Sequence, residues 1–392
     1  MDSALATLFS RSVEEVRTHE RSALQELLDQ REGRVVLFGA GTLGRRALAL
    51  LTEMGYKPLA FSDNNRSSWG SMVEGTPVLP PAEASALYGK SALILVTIWN
   101  DRHWFKETYQ QLTGLGCTLV SSYAPLFWRF PDRFLQLVLL NAPPHHVYEQ
   151  AEDVLRAEHV WADSESVEIY RANIRWRALG DPRDLPGRPK ENTYFPRDLF
   201  EIVPRESFLD CGAFDGDTIR QSLAAGGASI GHIDGVEADS ISFARLQRFV
   251  HELPDDLRSR IVLHPCAVGA KRGQIHFENS GTVDSKISAL GSVVEVYPID
   301  ELFASQPVSF IKMDIEGAEF DALRGARKVI ERDRPLLAIC VYHTQDDIWR
   351  IPLLIHEMVP GHHLFLRAYE GDGFQTVVYA IPPWRLIARA AA

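Results

Sequence analysis

Cysteine is scarce and scattered: Cys117, Cys211, Cys266 and Cys340 are the only four in 392 residues, and no two form a CxxC pair. Each sits in or beside an apolar, strand-like run, where a reduced thiol behaves as a small core hydrophobe. A disulfide framework and a structural zinc site are therefore not expected. Long apolar runs are also missing, and none nears the roughly 20 residues that cross a bilayer. The first sixteen residues have neither a basic start nor an unbroken apolar stretch, which predicts no secretory leader and a cytoplasmic chain. Positive charge is in deficit, with 41 Lys plus Arg against 52 Asp plus Glu and a net charge of −11. Phosphate backbones and anionic lipids need a cationic face, so neither nucleic acid nor membrane is an expected partner. Repeats at a solenoid period and low-complexity tracts are absent. What remains is an ordinary globular composition, 45% hydrophobic and 24% charged, of a length for about two to three domains.

The pattern predicts an α/β protein in four segments. Residues 1–30 carry apolar positions at helical spacing. Residues 31–127 alternate strands (Val35 to Phe38, Pro58 to Phe61, Ala92 to Ile98, Thr118 to Val120) with helices, which implies a small parallel sheet of about four strands. Residues 128–195 lose the strand signal and read as a helical connector. It ends in the breakers Pro182, Pro186, Gly187, Pro189 and Pro196, a loop or linker. From 196 to 392 a second alternation begins, with strands near Phe208–Asp210, His232–Val236, Ile261–Leu263, Ser309–Met313 and Leu336–Val341, and a closing pair near Leu364–Ala368 and Thr376–Ile381.

The richest stretch follows the first strand of that second half: Asp210-Cys211-Gly212-Ala213-Phe214-Asp215-Gly216-Asp217-Thr218. A buried strand ends in an acid, turns through small residues and opens a helix. Gly212 and Gly216 let backbone approach a ligand, and ligands of open α/β sheets bind beyond the carboxyl ends of strands. Three carboxylates repel a phosphate but suit a ligand with an ammonium and a sulfonium, as in S-adenosylmethionine. Glu237, with Ala238 and Asp239, ends the next strand, where an acid accepts hydrogen bonds from ribose hydroxyls. Ala267 stands where small residues form an adenine slot. The competing reading is a dinucleotide fold whose acids cap helices.

The fourth strand leads into Lys312-Met313-Asp314-Ile315-Glu316-Gly317-Ala318-Glu319. With Tyr297-Pro298-Ile299-Asp300 upstream and Tyr342-His343, Asp347, Trp349 and Pro352 downstream, the region from about 194 to 383 resembles the FkbM-type methyltransferases. The resemblance implies a Rossmann-like class I methyltransferase that uses S-adenosylmethionine and O-methylates a sugar or natural-product hydroxyl. It implies that Asp210 to Thr218 hold the methionine end, that Glu237 holds the ribose, and that Asp314 to Glu316 line the junction with the acceptor. Methyl transfer to a hydroxyl needs alignment and removal of the acceptor proton. Of Asp314, Glu316 and His343, the histidine has the unperturbed pKa suited to a base; a capping Asp314 and a structural His343 are the bland alternatives. A divalent metal on Asp314 and His343 is left open, because two ligands are too few to assert one.

His356-Glu357-Met358-Val359-Pro360 imitates a zinc-hydrolase HExxH, but Pro360 replaces the second ligand and ends the helix. Gly39-Ala40-Gly41-Thr42-Leu43-Gly44 follows a strand and opens a helix, with Asp63 beyond it, the setting of a nucleotide site. This segment, with Gly75-Thr76-Pro77-Val78, is similar to small Rossmann-like domains that precede sugar-modifying acyltransferases. Three readings stay open for it: a nucleotide or nucleotide-sugar site, a scaffold for homodimer formation or substrate presentation, and NAD-linked redox chemistry. The expected acceptor is a small molecule or glycan. The rivals to methyl transfer are a nucleotide-sugar-binding protein with a vestigial methyltransferase fold and an oxidoreductase using the N-terminal glycines.

Overall fold

The computed structural model is α/β and describes residues 5–100, 102–134, 142–186, 193–278, 286–287 and 291–387. Two compact units account for them. One takes the described parts of 1–155, 169–189 and 369–374, and the other those of 156–168, 190–368 and 375–392. The expected connector is thus divided between the units, with helices Ala151–Ala157 and Ser164–Leu179 in it. Residues 187–192 of the breaker-rich stretch lie outside the described residues.

In the first unit, helix Val13–Asp29 opens on a capping box in which Ser12 and Glu15 satisfy each other's backbone. The six strands are β1 (Val35–Phe38), β2 (Ala60–Ser62), β3 (Met72–Val73), β4 (Thr76–Leu79), β5 (Leu93–Val96) and β6 (Val120–Ser122), in the order β3-β4-β2-β1-β5-β6. All neighbours are parallel except β3 and β4. Every side chain of β1 and β5 is buried, as a sheet covered on both faces requires. Helix Thr42–Glu53 covers it with Ala47, Leu48, Leu50 and Leu51. The expectation of about four strands was short by the β3–β4 hairpin. Its two-residue turn, Glu74 and Gly75 at φ 48° and 79°, has the double positive φ of tight hairpins. Pro77 inside the run hides the strand from pattern reading.

The second unit holds β7 (Glu206–Cys211), β8 (Ile230–Val236), β9 (Ile261–His264), β10 (Ala267–Val268), β11 (Gly273–Glu278), β12 (Lys286–Ile287), β13 (Ser292–Tyr297), β14 (Phe310–Met313), β15 (Leu336–Cys340), β16 (His363–Ala368) and β17 (Thr376–Ile381). Its main sheet runs β16-β17-β15-β14-β7-β8-β9, parallel except where β17 meets β15 and β16. A second sheet, β10-β13-β11-β12, was not foreseen. No residue of β13 is buried, so no apolar alternation announces it. Among the described residues no helix is long and apolar enough to cross a membrane.

Candidate active site

Strand order reverses at β7, with β8 and β9 to one side and β14 and β15 to the other. The crevice beyond the carboxyl ends at such a reversal is where open sheets bind ligands, and the predicted residues gather at these strand tips. After β7 the chain turns through Gly212, Phe214 and Gly216 at φ 79°, 45° and 90°. A Cβ on Gly212 would stand 1.9 Å from the Asp314 carbonyl oxygen, and one on Gly216 would stand 2.4 Å from the Phe249 ring. The space these glycines free is filled by the protein itself, so their first task is to seat the loop against the turn after β14. Ala213 is fully buried, its N–H on the Val236 carbonyl, and Thr218 is buried in the first turn of helix Asp217–Gly226.

Two of this loop's acids have basic partners. Asp210 is 0% exposed and lies 3.0 Å from the ammonium of Lys312, its register partner on β14. Burial pushes the Asp210 carboxyl up to about 7 although Lys312 pulls it down. Lys312 would be lowered by burial, but Asp210, Asp314 and Asp217 outweigh that and hold its ammonium well above the usual range. Lys312 also donates to the Gly212 carbonyl at 2.8 Å. Asp215 pairs with Arg220 at 3.1 Å. Asp239 accepts from the N–H groups of Ile241 and Ser242 as the N-cap of the next helix.

Glu237 is the loop's fastener. Its two oxygens accept from the Phe214 N–H at 2.8 Å and the Asp239 N–H at 2.7 Å. Burial raises this carboxyl, and those two N–H groups pull it back. Each oxygen retains a lone pair for a further donor. Ala238 is half-buried beside it, and half-buried Ala267 pairs with Val296 in the smaller sheet.

At the tip of β14, Asp314 Oδ2 accepts from the Tyr194 hydroxyl at 2.7 Å and Oδ1 from the Tyr342 hydroxyl at 3.2 Å. Burial alone would raise the Asp314 carboxyl; His343, Lys312 and Tyr194 outweigh it and hold it well below the usual range. Glu316, exposed, takes a left-handed φ of 56° and Gly317 follows at 97°. A bulky residue keeps such a φ only where its surroundings impose it. Fully buried Glu319 imposes it, accepting from the N–H groups of Ile315 at 2.7 Å and Gly317 at 3.0 Å. His343 is brought among these carboxylates: Nε2 lies 3.2 Å from Asp314 and 3.7 Å from Glu316, and Nδ1 lies 2.9 Å from Glu319. Burial would lower the imidazole, but Glu319 and Asp314 outweigh it and hold it well above the ordinary histidine range. Tyr194, Lys312, Glu319 and Tyr342 were not singled out as site residues. A lysine inside the apolar strand Phe310–Met313 was the available signal, since a buried ammonium demands a carboxylate neighbour.

At the HExxH imitation, helix Asp347–Met358 ends before Pro360, and buried His362 faces the Pro335 carbonyl at 3.1 Å. In the first unit Gly39 (φ 109°) and Gly44 pack tightly, whereas Gly41 is exposed with nothing within 4 Å of an added Cβ. Asp63 accepts from the N–H groups of Ala40 and Asn65, both at 2.8 Å. This repeats what Glu237 does for its own first loop. A separate cavity of about 390 Å³ in this unit, lined by His19, Tyr109, Trp128 and Arg183 among others, includes none of these residues.

The fold has counterparts among known proteins. Residues 210–370 match the model of the methyltransferase FkbM domain. The solved structure of methyltransferase FkbM from Methylobacillus flagellatus KT is similar over 96% of this chain and 99% of that one, at a TM-score of 0.74 and 21% identity. It shares the fold. An rRNA methylase from Streptococcus thermophilus covers 50% of this chain and 98% of its own, at 10% identity and a TM-score of 0.31. Aeropyrum pernix fibrillarin, solved with natively bound S-adenosyl-L-methionine, covers 46% of this chain and 68% of its own, at 13% identity and a TM-score of 0.28. No curated protein matches the chain. Residues 210–370 are thus similar to the methyltransferase domains of the FkbM family, and the fold is shared with the FkbM structure over nearly the whole chain.

Proposed function

We propose that the second unit moves a methyl group from S-adenosylmethionine to a hydroxyl of a sugar or other small-molecule or glycan acceptor. The observation that carries this reading is the convergence, at the reversal of strand order, of the Gly212 loop, Glu237 and the Asp314–Glu316 turn. The residues suit the cofactor. Asp210, answered by Lys312 at 3.0 Å, holds the base of the Gly212 loop from below. Glu237 has lone pairs left for ribose hydroxyls. When bound, the cofactor supplies a methyl group already activated on a sulfonium. The chain's own task is to align the acceptor oxygen and receive its proton. Of Asp314, Glu316 and His343, which lie together at this turn, Glu316 is the exposed one and is the carboxylate placed to face the acceptor.

S-Adenosylhomocysteine should raise the melting temperature of the full chain, because a ligand that binds only the folded state stabilises it. Glu237→Gln, which keeps the size and loses the charge, should weaken calorimetric affinity at least tenfold. No binding to the folded parent, or unchanged affinity in the variant, sinks the reading; a shift with NAD alone would favour redox chemistry.

For the first unit we propose a nucleotide-sugar site over Gly39–Gly44. The support is that Asp63 fastens its loop as Glu237 fastens the other. Gly41→Val has room to fold and should abolish binding of UDP-sugars while leaving S-adenosylhomocysteine binding intact. Retained UDP-sugar affinity in that variant removes the proposal.

A further inference from the structure

The turn after β14 holds more ligating groups than proton transfer needs. Among the described residues, Asp314, Glu316 and His343 each offer one ligand atom, and these atoms lie within 4.8 Å of one another. Donors in adjacent positions around an octahedral ion, each at about 2.1 Å, stand about 3 Å apart. Here Nε2 of His343 is 3.2 Å from Asp314 Oδ1 and 3.7 Å from Glu316 Oε2. A second observation concerns His343 itself. It is 6% exposed, yet neither ring nitrogen makes a hydrogen bond of good geometry, although carboxylate oxygens surround it.

We propose that Asp314, Glu316 and His343 are the protein ligands of a divalent cation, which takes the place of the proton on Nε2 of His343, with Glu319 as the outer partner that orients His343. The arrangement around the ligands is what such a centre requires. A ligating histidine presents its other ring nitrogen to a carboxylate or carbonyl, and Nδ1 of His343 has Glu319 at 2.9 Å. Glu319 is itself fixed by the N–H groups of Ile315 and Gly317. Ligating carboxylates are hydrogen-bonded in turn, and Asp314 takes the hydroxyls of Tyr194 and Tyr342. The left-handed Glu316 brings its carboxylate to the same side as Asp314. One imidazole and two carboxylates suit a borderline or hard ion such as Mn²⁺ or Mg²⁺, with the remaining positions open to oxygen donors. The inference rests on the methyl-transfer reading for its use: the open positions would take the acceptor hydroxyl and lower its pKa.

The rival grouping, His145, His146 and Glu149, has Glu149 paired with Arg17 at 2.6 Å and His145 with Glu20 at 2.9 Å. A guanidinium on one ligand opposes a cation there. The test uses the full chain, stripped with a chelator and titrated with MnCl₂ while free Mn²⁺ is followed by its paramagnetic resonance. One Mn²⁺ per chain is expected, displaced by Mg²⁺. Glu316→Gln, at an exposed position that folding tolerates, should weaken Mn²⁺ at least tenfold, whereas His145→Gln should not change it. S-Adenosylhomocysteine affinity is measured on the same samples. A chain that binds S-adenosylhomocysteine but no Mn²⁺ at millimolar concentration overturns the cation site and leaves the methyl-transfer reading standing. Mn²⁺ binding that Glu316→Gln leaves unchanged overturns it too. Mn²⁺ lost in that variant, from a chain that never binds S-adenosylhomocysteine, supports the cation site and removes the function.

Discussion

Replacing Lys312 with methionine should destabilise the protein by about 3–5 kcal/mol, the size of the effect when one partner of a buried ion pair is removed. Asp210 and Lys312 are both nearly inaccessible and face each other at 3.0 Å across the β7–β14 ladder. Methionine fills the volume but leaves the carboxylate without a counter-charge. The loss should depend on pH in a direction opposite to that of an ordinary acid. Asp210 already titrates near 7 with its partner present, and without it the folded-state value rises further above the unfolded 3.8. The folded chain then holds a proton that the unfolded chain has released, so stability falls as pH climbs from about 4 toward the raised value. Adding Asp210→Asn to Lys312→Met should recover most of the loss, because it removes the stranded charge. Urea melts from pH 5 to 8 decide the matter; a flat pH dependence in the single variant, or no recovery in the double, contradicts the pairing.

Gly212→Ala should be nearly as damaging, and for a steric reason. The position has φ 79° and an added methyl would lie 1.9 Å from the Asp314 carbonyl oxygen and 3.2 Å from Ile315 Cγ2. The left-handed conformation costs an L-residue about 1–2 kcal/mol, and overpacking adds about 1–3 kcal/mol. Part of the strain should be relieved by pushing the Asp314 turn away, so S-adenosylhomocysteine affinity should fall together with stability. Gly41→Ala, at φ −76° with open space around it, is the control and should stay within about 0.5 kcal/mol of the parent. Equal melting midpoints for the two variants would mean that the loop is not pressed against β14.

What the sequence made legible was local. Val35–Phe38 and Phe310–Met313 announce buried strands by unbroken apolar character, and the glycines after β1 and β7 mark the turns at strand tips. The acids at Asp63 and Glu237 follow from their distance along the chain. What stayed hidden depends on register and on partners far away. That Lys312 answers Asp210 is a property of strand pairing, 102 residues apart. Tyr194, at the end of a stretch that reads only as linker, reaches Asp314 from 120 residues away. The surroundings of His343 were hidden for the same reason: its ordinary pKa is local information, whereas Glu319 and Asp314 are brought to it by the fold. Composition shows the acids of the 210–217 loop but not that Lys312 answers Asp210.

The fasteners on the two halves of the crevice bear on how fast the site fills. Glu237 fixes the Phe214 amide and Glu319 fixes those of Ile315 and Gly317, so both loops have their shape before any ligand arrives. Ordering entropy that an unstructured loop would surrender on capture has already been surrendered in folding. Association should therefore be a single diffusive encounter with a rate linear in ligand concentration, without the plateau that a slow rearrangement imposes. Affinity differences among nucleoside analogues should then appear almost wholly in how long each one stays.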